Sequence, residues 1–530
     1  MNAISSSQKL RYWEKPFPRI PPFGMAVFDF RSPSPPAPYC AIAFFWLNIY
    51  AILCTLPYRR VVPSCPVKKF FILGLVVGWI GCLSTPEAPS PWSDLALPNQ
   101  FGGGTTNAPA GTGWLKDFND ATLDALVREA LKNNPDLRVT AARLKVARTN
   151  VRIAGADRLP TLSAAAQASR TKRNSNSGFK ITSSRNDRFS PALDLAWEVD
   201  VWSRLSDLHA AALLDAGEAD ANLKAAQLSL AANTAKGWFS LAESELQVRL
   251  ANETYKSYTN NLAVLEDGLK RGLTKALDVR LMRTSVRNAQ ATVQLRRRER
   301  DGARRSLEVL LGRYPKSELA LSDSLPTIAQ PVPSGLPAKL LERRPDVLAM
   351  HRGYLAAHRR TASARKDLLP KISLTASTGT SSDELQDVLD LDNKIWNLAA
   401  NLAQPIFDGR KIRSQIDRAK AQQEVARFNY VQTALQAFSE VETALAAEVF
   451  LTGQETALRG SVTEAGEAQT LALEDYQAGL TDIVTVLESQ RRVFDAKRSL
   501  IELQNLRLQN RIDLYLALGG EFAQPAKDDE

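Results

Sequence analysis

The chain has 530 residues, 44% of them hydrophobic, with 67 Lys or Arg against 57 Asp or Glu and a formal charge of +10. That length allows several domains, and that charge invites a nucleic-acid partner; its distribution argues against one, because residues 1–81 hold nine Lys or Arg and two Asp or Glu while the remaining 449 hold 58 and 55. All four cysteines lie at positions 40, 54, 65 and 82, so the 448 residues that follow contain neither a disulfide framework nor a cysteine metal site.

Residues 1–81 read as a leader. Ala41–Leu56 is apolar but slightly short of the about 20 residues a spanning helix needs, which leaves two readings. One is a membrane anchor; the other, preferred here, is that residues 1–66 precede the true translation start near Val67. Lys68-Lys69, the apolar run Phe70–Ile80 and Gly81-Cys82 supply the charged, apolar and small-residue parts of a secretory signal. This segment, about 67–81, resembles a bacterial lipoprotein signal, which implies acylation of Cys82. Trp79 departs from that pattern, where Leu is usual.

Residues 82–113 are rich in Pro, Ser and Gly and read as a tether. The cluster Gly102-Gly103-Gly104 has no strand before it and no Lys-Ser/Thr after it, which excludes a phosphate loop.

A first structural unit is expected over 114–322. Leu123, Leu126 and Leu131 introduce a helix, Pro135-Asp136 restarts it to Ala154, and Leu159-Pro160 stops it. Thr161–Arg170 precedes a polar stretch, Thr171–Arg188. In Phe189–Trp202 the residues Leu193, Leu195, Trp197, Val199 and Val201 alternate with Asp194, Ala196, Glu198 and Asp200, the period of a strand with one apolar face. From about Ser206 to Arg271 the spacing turns helical, with Tyr255, Tyr258, Leu262, Leu265 and Leu269 three and four apart. Gly272 breaks that helix, and a second returns to Gly312.

A Pro-rich linker over 323–337 leads to a second unit over 338–520. Arg344-Pro345-Asp346 opens a helix to Lys366, and Leu369-Pro370 stops it. Ile372, Leu374 and Ala376 alternate with Lys371, Ser373 and Thr375; within Ile395–Phe407, Trp396, Leu398, Ala400 and Leu402 alternate with Asn397, Ala399, Asn401 and Ala403. Asp408-Gly409 ends the strand pair, a long helix runs to Gly479, and the last ends at Gly519-Gly520. The acidic tail 521–530 has the composition of a disordered segment.

The two units are copies. Arg271-Gly272-Leu273-Thr274 and Ala478-Gly479-Leu480-Thr481 are 207 residues apart, and the offset continues through Val279/Val486, Val286/Val493, Arg300/Arg507, Arg304/Arg511 and Gly312/Gly519. A period that long is a duplicated domain rather than a small stacked repeat.

Gly335-Leu336-Pro337, Leu341-Glu342-Arg343-Arg344-Pro345-Asp346-Val347, Trp197-Glu198-Val199-Asp200-Val201-Trp202, Phe407-Asp408-Gly409 and the paired Gly-Leu-Thr turns occur together and in order. Their set over roughly 82–520 resembles the TolC-like outer-membrane efflux protein family, in its lipoprotein (NodT/OprM-like) branch. Ser203 departs from it, where the family commonly has Gly. The resemblance implies a mainly α fold with a small β part: two repeats whose long helical hairpins build a trimeric α-barrel, and four strands per chain in a twelve-stranded transmembrane β-barrel. It further implies an outer-membrane protein of a Gram-negative bacterium, lipid-anchored at Cys82 and extending into the periplasm. As the channel of a tripartite efflux system it would be a homotrimer, working with a periplasmic adaptor and a proton-driven inner-membrane pump. The residue pattern agrees on one point independently: four strands alone leave open edges and cannot enclose an aqueous lumen, so closure takes more than one chain.

A passive duct needs residues that line it and residues that narrow it, and no nucleophile or cofactor. Gly272 and Gly479 lie farthest from the strands and mark the periplasmic mouth. By resemblance, Asp278 and Glu488 fall on acidic positions near the constriction, and Thr485 stands where some members have an acid. Rings of carboxylates would filter cations, and Arg271, Lys275, Arg280 and Arg283 are near in sequence to balance them; two solvated acids are the plainer reading. Gly272, Leu273, Thr274, Gly479, Leu480 and Thr481 are the candidate adaptor-docking tips, the glycines also serving as turn residues. His351 and His358, seven apart, are too widely spaced for a metal site. Arg296-Arg297-Arg298 has Leu503, Gln504 and Asn505 as its repeat partners, which speaks for a solvated stretch rather than a nucleic-acid patch. The alternatives are a coiled-coil envelope scaffold without a pore and an export duct for secreted protein; four symmetrically placed alternating segments disfavour the scaffold.

Overall fold

The protein was analysed as a computed structural model, which describes residues 113–176, 178, 181–320 and 337–520, together with 87–89, 101 and 324–328. The chain divides into two units, Met1–Cys82 and Leu83–Glu530, and all described residues belong to the second. The expected leader, the expected acylation site Cys82, the glycine cluster, most of the Pro-rich linker and the tail lie outside them.

Two short 3₁₀ turns, Trp114–Phe118 and Leu391–Asn393, accompany eight helices and four strands among the described residues. The first repeat comprises α1 (Ala121–Asn133), α2 (Pro135–Ala156), β1 (Thr161–Asn176), β2 (Ile181–Glu198), α3 (Arg204–Lys270) and α4 (Ala276–Leu310). The second comprises α5 (Pro337–Arg343), α6 (Pro345–Lys366), β3 (Lys371–Thr380), β4 (Lys394–Ala403), α7 (Lys411–Gln477) and α8 (Ile483–Ala517). The offset of 207 is carried into the elements: α3 and α7 both have 67 residues, and α4 and α8 both have 35. A 67-residue helix is about 100 Å long.

Helix packing follows two rows. On the strand side α2 packs on α3, α3 on α6 and α6 on α7; on the tip side α4 packs on α3, α3 on α8 and α8 on α7. The long helices therefore change partners along their length. The largest core gathers where these rows meet: Trp114, Phe118, Leu123, Phe239, Tyr430, Ile512 and Tyr515 are all buried. Trp114 stacks on Tyr515 at 5.7 Å, and Phe118 meets Trp114 edge-on at 6.1 Å. The indole of Trp238 donates to Asp120, which also caps α1 by accepting from the amides of Thr122 and Leu123. No helix among the described residues is long and apolar enough to cross a membrane.

The four strands form one antiparallel sheet in the order β1-β2-β3-β4. Its register puts Leu162, Ala164, Ala166 and Ala168 on the same face as Phe189, Pro191, Leu193, Leu195 and Trp197, then Leu374 and Ala376, then Trp396, Leu398, Ala400 and Leu402. The other face carries Ser163, Gln167, Ser190, Asp194, Ser373, Thr375, Asn397 and Asn401. The apolar face is bare within the chain: Trp396, Leu398 and Leu402 keep 75%, 71% and 70% of their surface exposed.

The strand boundaries differ from expectation. β1 continues through the polar stretch to Asn176 and β2 begins at Ile181, because ladder hydrogen bonds are made by the backbone and persist where side-chain alternation gives no signal. Val199 and Val201 fall past the end of β2: the Val199 amide donates to Ile372 and the Val201 amide turns back to Val199. Ser203 then takes the left-handed conformation, φ 61°, that glycine would adopt without strain.

Candidate functional site

The motif between β2 and α3 is joinery. Trp197 and Trp202 donate their indole hydrogens to the carbonyls of Arg158 and Pro370, Glu198 holds Arg204, and Asp200 accepts from the amides of Leu205 and Ser206 to cap α3. In the second repeat Asp408 does the same for α7 through the Ile412 amide. The strands are thereby fixed to the helices that continue them.

At the far end each long helix stops in the same way. Gly272 and Gly479, both at φ 75°, follow the last turns of α3 and α7. The amides of Leu273 and Leu480 reach back to the carbonyls of Gly268 and Asp475, both at 2.8 Å, and those of Gly272 and Gly479 to Leu269 and Tyr476. This double closure satisfies the orphan carbonyls of a helix end and needs a left-handed residue, which explains the glycines. It leaves Leu273 80% and Leu480 77% exposed, an apolar pair at the outermost points of the two hairpins. Thr274 and Thr481 are half-buried beside them.

Just inside the tips the hairpins touch. Leu265, Val279 and Met282 of the first form a buried cluster with Ile483 and Val486 of the second, flanked by Leu473 and Tyr476. Asp278, in the first turn of α4, faces the Tyr476 hydroxyl of α7. Burial and the Asp278 carboxylate beside it together push the Tyr476 phenol above its usual range, keeping its proton in place. Asp482 caps α8 by accepting from the amide and hydroxyl of Thr485, both at 3.0 Å, so Thr485 is committed to its own helix start. These bonds, with Lys275 across the tips contributing, hold the Asp482 carboxyl below its usual value.

Glu488 is clamped on its own helix: Arg491 donates twice, at 2.9 and 2.8 Å, and Arg492 once at 3.0 Å. These guanidinium hydrogen bonds lower its pKa to about 2. Of the cations near in sequence, Arg271 pairs with Asp267 and Arg283 with Glu266, neither with Asp278 or Glu488. Tyr476, Arg491 and Arg492 were not singled out from sequence. Tyr476 did carry a signal, since its repeat counterpart is Leu269: a polar tip where its copy is apolar.

No His/Cys/Asp/Glu cluster among the described residues could hold a metal. His351 stacks on Tyr430 at 5.3 Å and His358 contacts Gln423, so both histidines pack against α7.

Comparison with known proteins decides what this arrangement belongs to. The model of the outer membrane efflux protein family matches residues 126–313 and 336–520. The chain belongs to the outer membrane efflux protein family. It is 31% identical over 472 residues to the solvent efflux pump outer membrane protein SrpC of Pseudomonas putida, covering 87% of this chain and 98% of that one. It is 29% identical over 453 residues to the cation efflux system protein CusC of Escherichia coli O6:H1, covering 84% and 96%. The solved outer-membrane channel OprN superposes with a TM-score of 0.77 at 25% identity, covering 83% of this chain and all of that one. The expected class, a mainly α two-repeat TolC-like channel fold with four strands per chain, is thus borne out, as is the role of an outer-membrane channel component of an efflux system.

Proposed function

We propose that three copies of this chain close into a passive exit duct for small molecules, fed by an inner-membrane pump through a periplasmic adaptor. The observation that carries this reading is the open sheet: one face apolar, one polar, with β1 and β4 unpaired at its edges. Ten-residue strands, tilted as barrel strands are, rise about 25 Å, the height of an outer-membrane apolar band. The apolar face meets lipid, and the polar face, with Asp194, Asn397 and Asn401, lines the bore.

The helices support the same closure. α2 and α7 end the strand-side row, and both leave apolar side chains uncovered at helical spacing: Val139, Val146 and Ile153 on α2, Val425, Phe428 and Leu435 on α7. Contiguous exposed apolar surface calls for a partner, and head-to-tail contact of α7 with α2 of the next copy generates a ring.

In such a ring Asp278, facing Tyr476, and the Glu488 clamp encircle the periplasmic mouth, with Thr485 one turn before Glu488. Asp278 and Glu488 set its cation preference, and the exposed Leu273 and Leu480 dock the adaptor beside Gly272, Thr274, Gly479 and Thr481. Acylation at Cys82 would anchor each chain to the outer membrane. Cargo is chosen upstream by a proton-driven pump, which agrees with relatives named for cations, solvents and antibiotics.

Light scattering of the detergent-solubilised protein should give a trimer, and planar bilayers should show discrete cation-preferring channels. The Asp278→Ala, Glu488→Ala double variant should lose that preference. A monomer without conductance sinks the duct; an unchanged cation preference sinks the assigned filter alone.

A further inference from the structure

The apolar face of the β1–β2 hairpin can be followed outward pair by pair: Leu162–Leu195, Ala164–Leu193, Ala166–Pro191, Ala168–Phe189, then Arg170–Asp187 and Lys172–Arg185. Apolar pairs give way to charge within one step. Arg170 grips Asp187 with two bonds of 2.7 Å, which occupies the carboxylate at this level. Lys172 and Arg185 are left directly opposite one another, both exposed, and neither makes an ion pair within 4 Å among the described residues. Like charges placed so are destabilising in a sheet unless something anionic lies between them.

We propose that Lys172 and Arg185 form a docking surface for a phosphate-bearing lipid headgroup of the outer leaflet. This assignment rests on reading the sheet as one third of a membrane barrel. In that setting the apolar pairs lie against acyl chains, and the cations sit at the level where headgroups begin. A phosphate between Lys172 and Arg185 turns their repulsion into two charge-assisted hydrogen bonds, while the acyl chain below it runs along Ala168 and Phe189. A soluble acidic partner would gain nothing from that apolar continuation, so the occupant is a lipid.

The test uses the full-length protein, stripped of lipid and reconstituted in phosphatidylcholine vesicles doped with a bis-phosphorylated outer-leaflet glycolipid. Retained glycolipid is counted by native mass spectrometry. A surface cation contributes on the order of fivefold to anionic-lipid affinity, so Lys172→Gln/Arg185→Gln should bind about twenty-five-fold more weakly. Arg173→Gln/Arg188→Gln, which removes charge from the opposite face of the same hairpin, should bind as wild type. The dephosphorylated glycolipid should not distinguish wild type from the Lys172→Gln/Arg185→Gln variant. Equal retention by wild type and that variant, loss in the opposite-face variant, or equally tight binding of inorganic phosphate alone would overturn the lipid site. Conductance separates this from the parent reading: a conducting wild type without lipid preference rejects only the site, and a wild type that never inserts rejects both.

Discussion

Asn134 and Arg344 occupy matching places in the two repeats and fasten the same joint with different chemistry. Each precedes the proline that opens a helix, and each donates to the last carbonyl of its repeat's returning helix: Asn134 to Leu310 at 3.0 Å, Arg344 to Ala517 at 3.2 Å. Asn134 also caps α2 through the amides of Asp136 and Leu137. Arg344 makes no such cap; buried to 7% exposure, it reaches Asp346 and Glu440 instead. Burial works against its charge, but the two carboxylates outweigh it and hold the guanidinium above its usual pKa. Arg344→Ala should therefore cost about 3 kcal/mol, because it strands two carboxylates, and Asn134→Ala about 1 kcal/mol, the loss of a cap. Denaturant unfolding in detergent orders the two, and the reverse order would refute the account. Arg344→Lys should recover little, since one ammonium cannot span both acids and the carbonyl.

Ser203 stands at φ 61° at the entrance to α3, and its counterpart Arg410 at φ 70° before α7 is preceded by Gly409 at 64°. A side chain in this region costs about 1 kcal/mol or more, which glycine avoids at some expense in unfolded-chain entropy. Ser203→Gly should raise stability by about 0.5–1 kcal/mol, whereas Ser203→Ala should not. A thermal midpoint unchanged by glycine would show that the turn is unstrained.

The clamp on Glu488 has a defined pH window. Its folded pKa of about 2 lies below the ordinary 4.5, so its contribution is complete above pH 4.5 and fades as pH falls towards 2. Single-channel conductance, which follows the folded channel's own titration, should be level from pH 8 to about 3 with respect to this group and shift only below. Glu488→Gln should abolish that acid step. A transition near pH 6 that Glu488→Gln removes would contradict the assigned pKa.

Leu273 and Leu480 are the most exposed apolar side chains at the hairpin tips, and no neighbour among the described residues covers them. Leu273→Asp with Leu480→Asp should leave folding and bilayer conductance intact, because the turn is held by backbone bonds and the glycines. Export in cells carrying the pump and adaptor should fall severely. Preserved export would move the docking surface elsewhere on the hairpins.

Periodicity made the helices, the strand faces and the duplication legible, since each is written locally as a spacing of apolar residues. Arg300/Arg507 and Arg304/Arg511 recurred at the same offset, and all four tie a returning helix to an acid or carbonyl nearby: Arg300 to Glu245, Arg304 to Ser317, Arg507 to Glu455 and Arg511 to Glu448. Their acids did not recur, because Glu245 aligns with Thr452. The outer halves of β1 and β2 were illegible because their side chains meet no apolar surface and carry no period. At the mouth, sequence proximity pointed to Arg271 and Arg283 as counter-ions, but both side chains are taken by acids one helical turn away or across the hairpin. Which cation meets which acid depends on how α3 and α4 face each other, and nothing local records that.

Asp278 of α4 faces Tyr476 of α7 across the two hairpins, beside the buried Leu265–Val279–Met282–Ile483–Val486 cluster. The cluster holds the hairpins near one another without fixing their angle; a directional contact between phenol and carboxylate would fix it. Tyr476→Phe removes the donor and keeps the ring, so packing survives while a carboxylate loses its partner. A hydrogen bond to a charged group contributes about 1.5–3 kcal/mol, which predicts a roughly ten- to hundredfold shift towards the open mouth. Asp278→Ala should produce the same shift, and the two changes combined should add little, because they break one interaction. Open-state conductance in planar bilayers measures all three. A Tyr476→Phe channel that stays closed while Asp278→Ala opens would mean that Asp278 acts through its charge on the lumen rather than through the tyrosine.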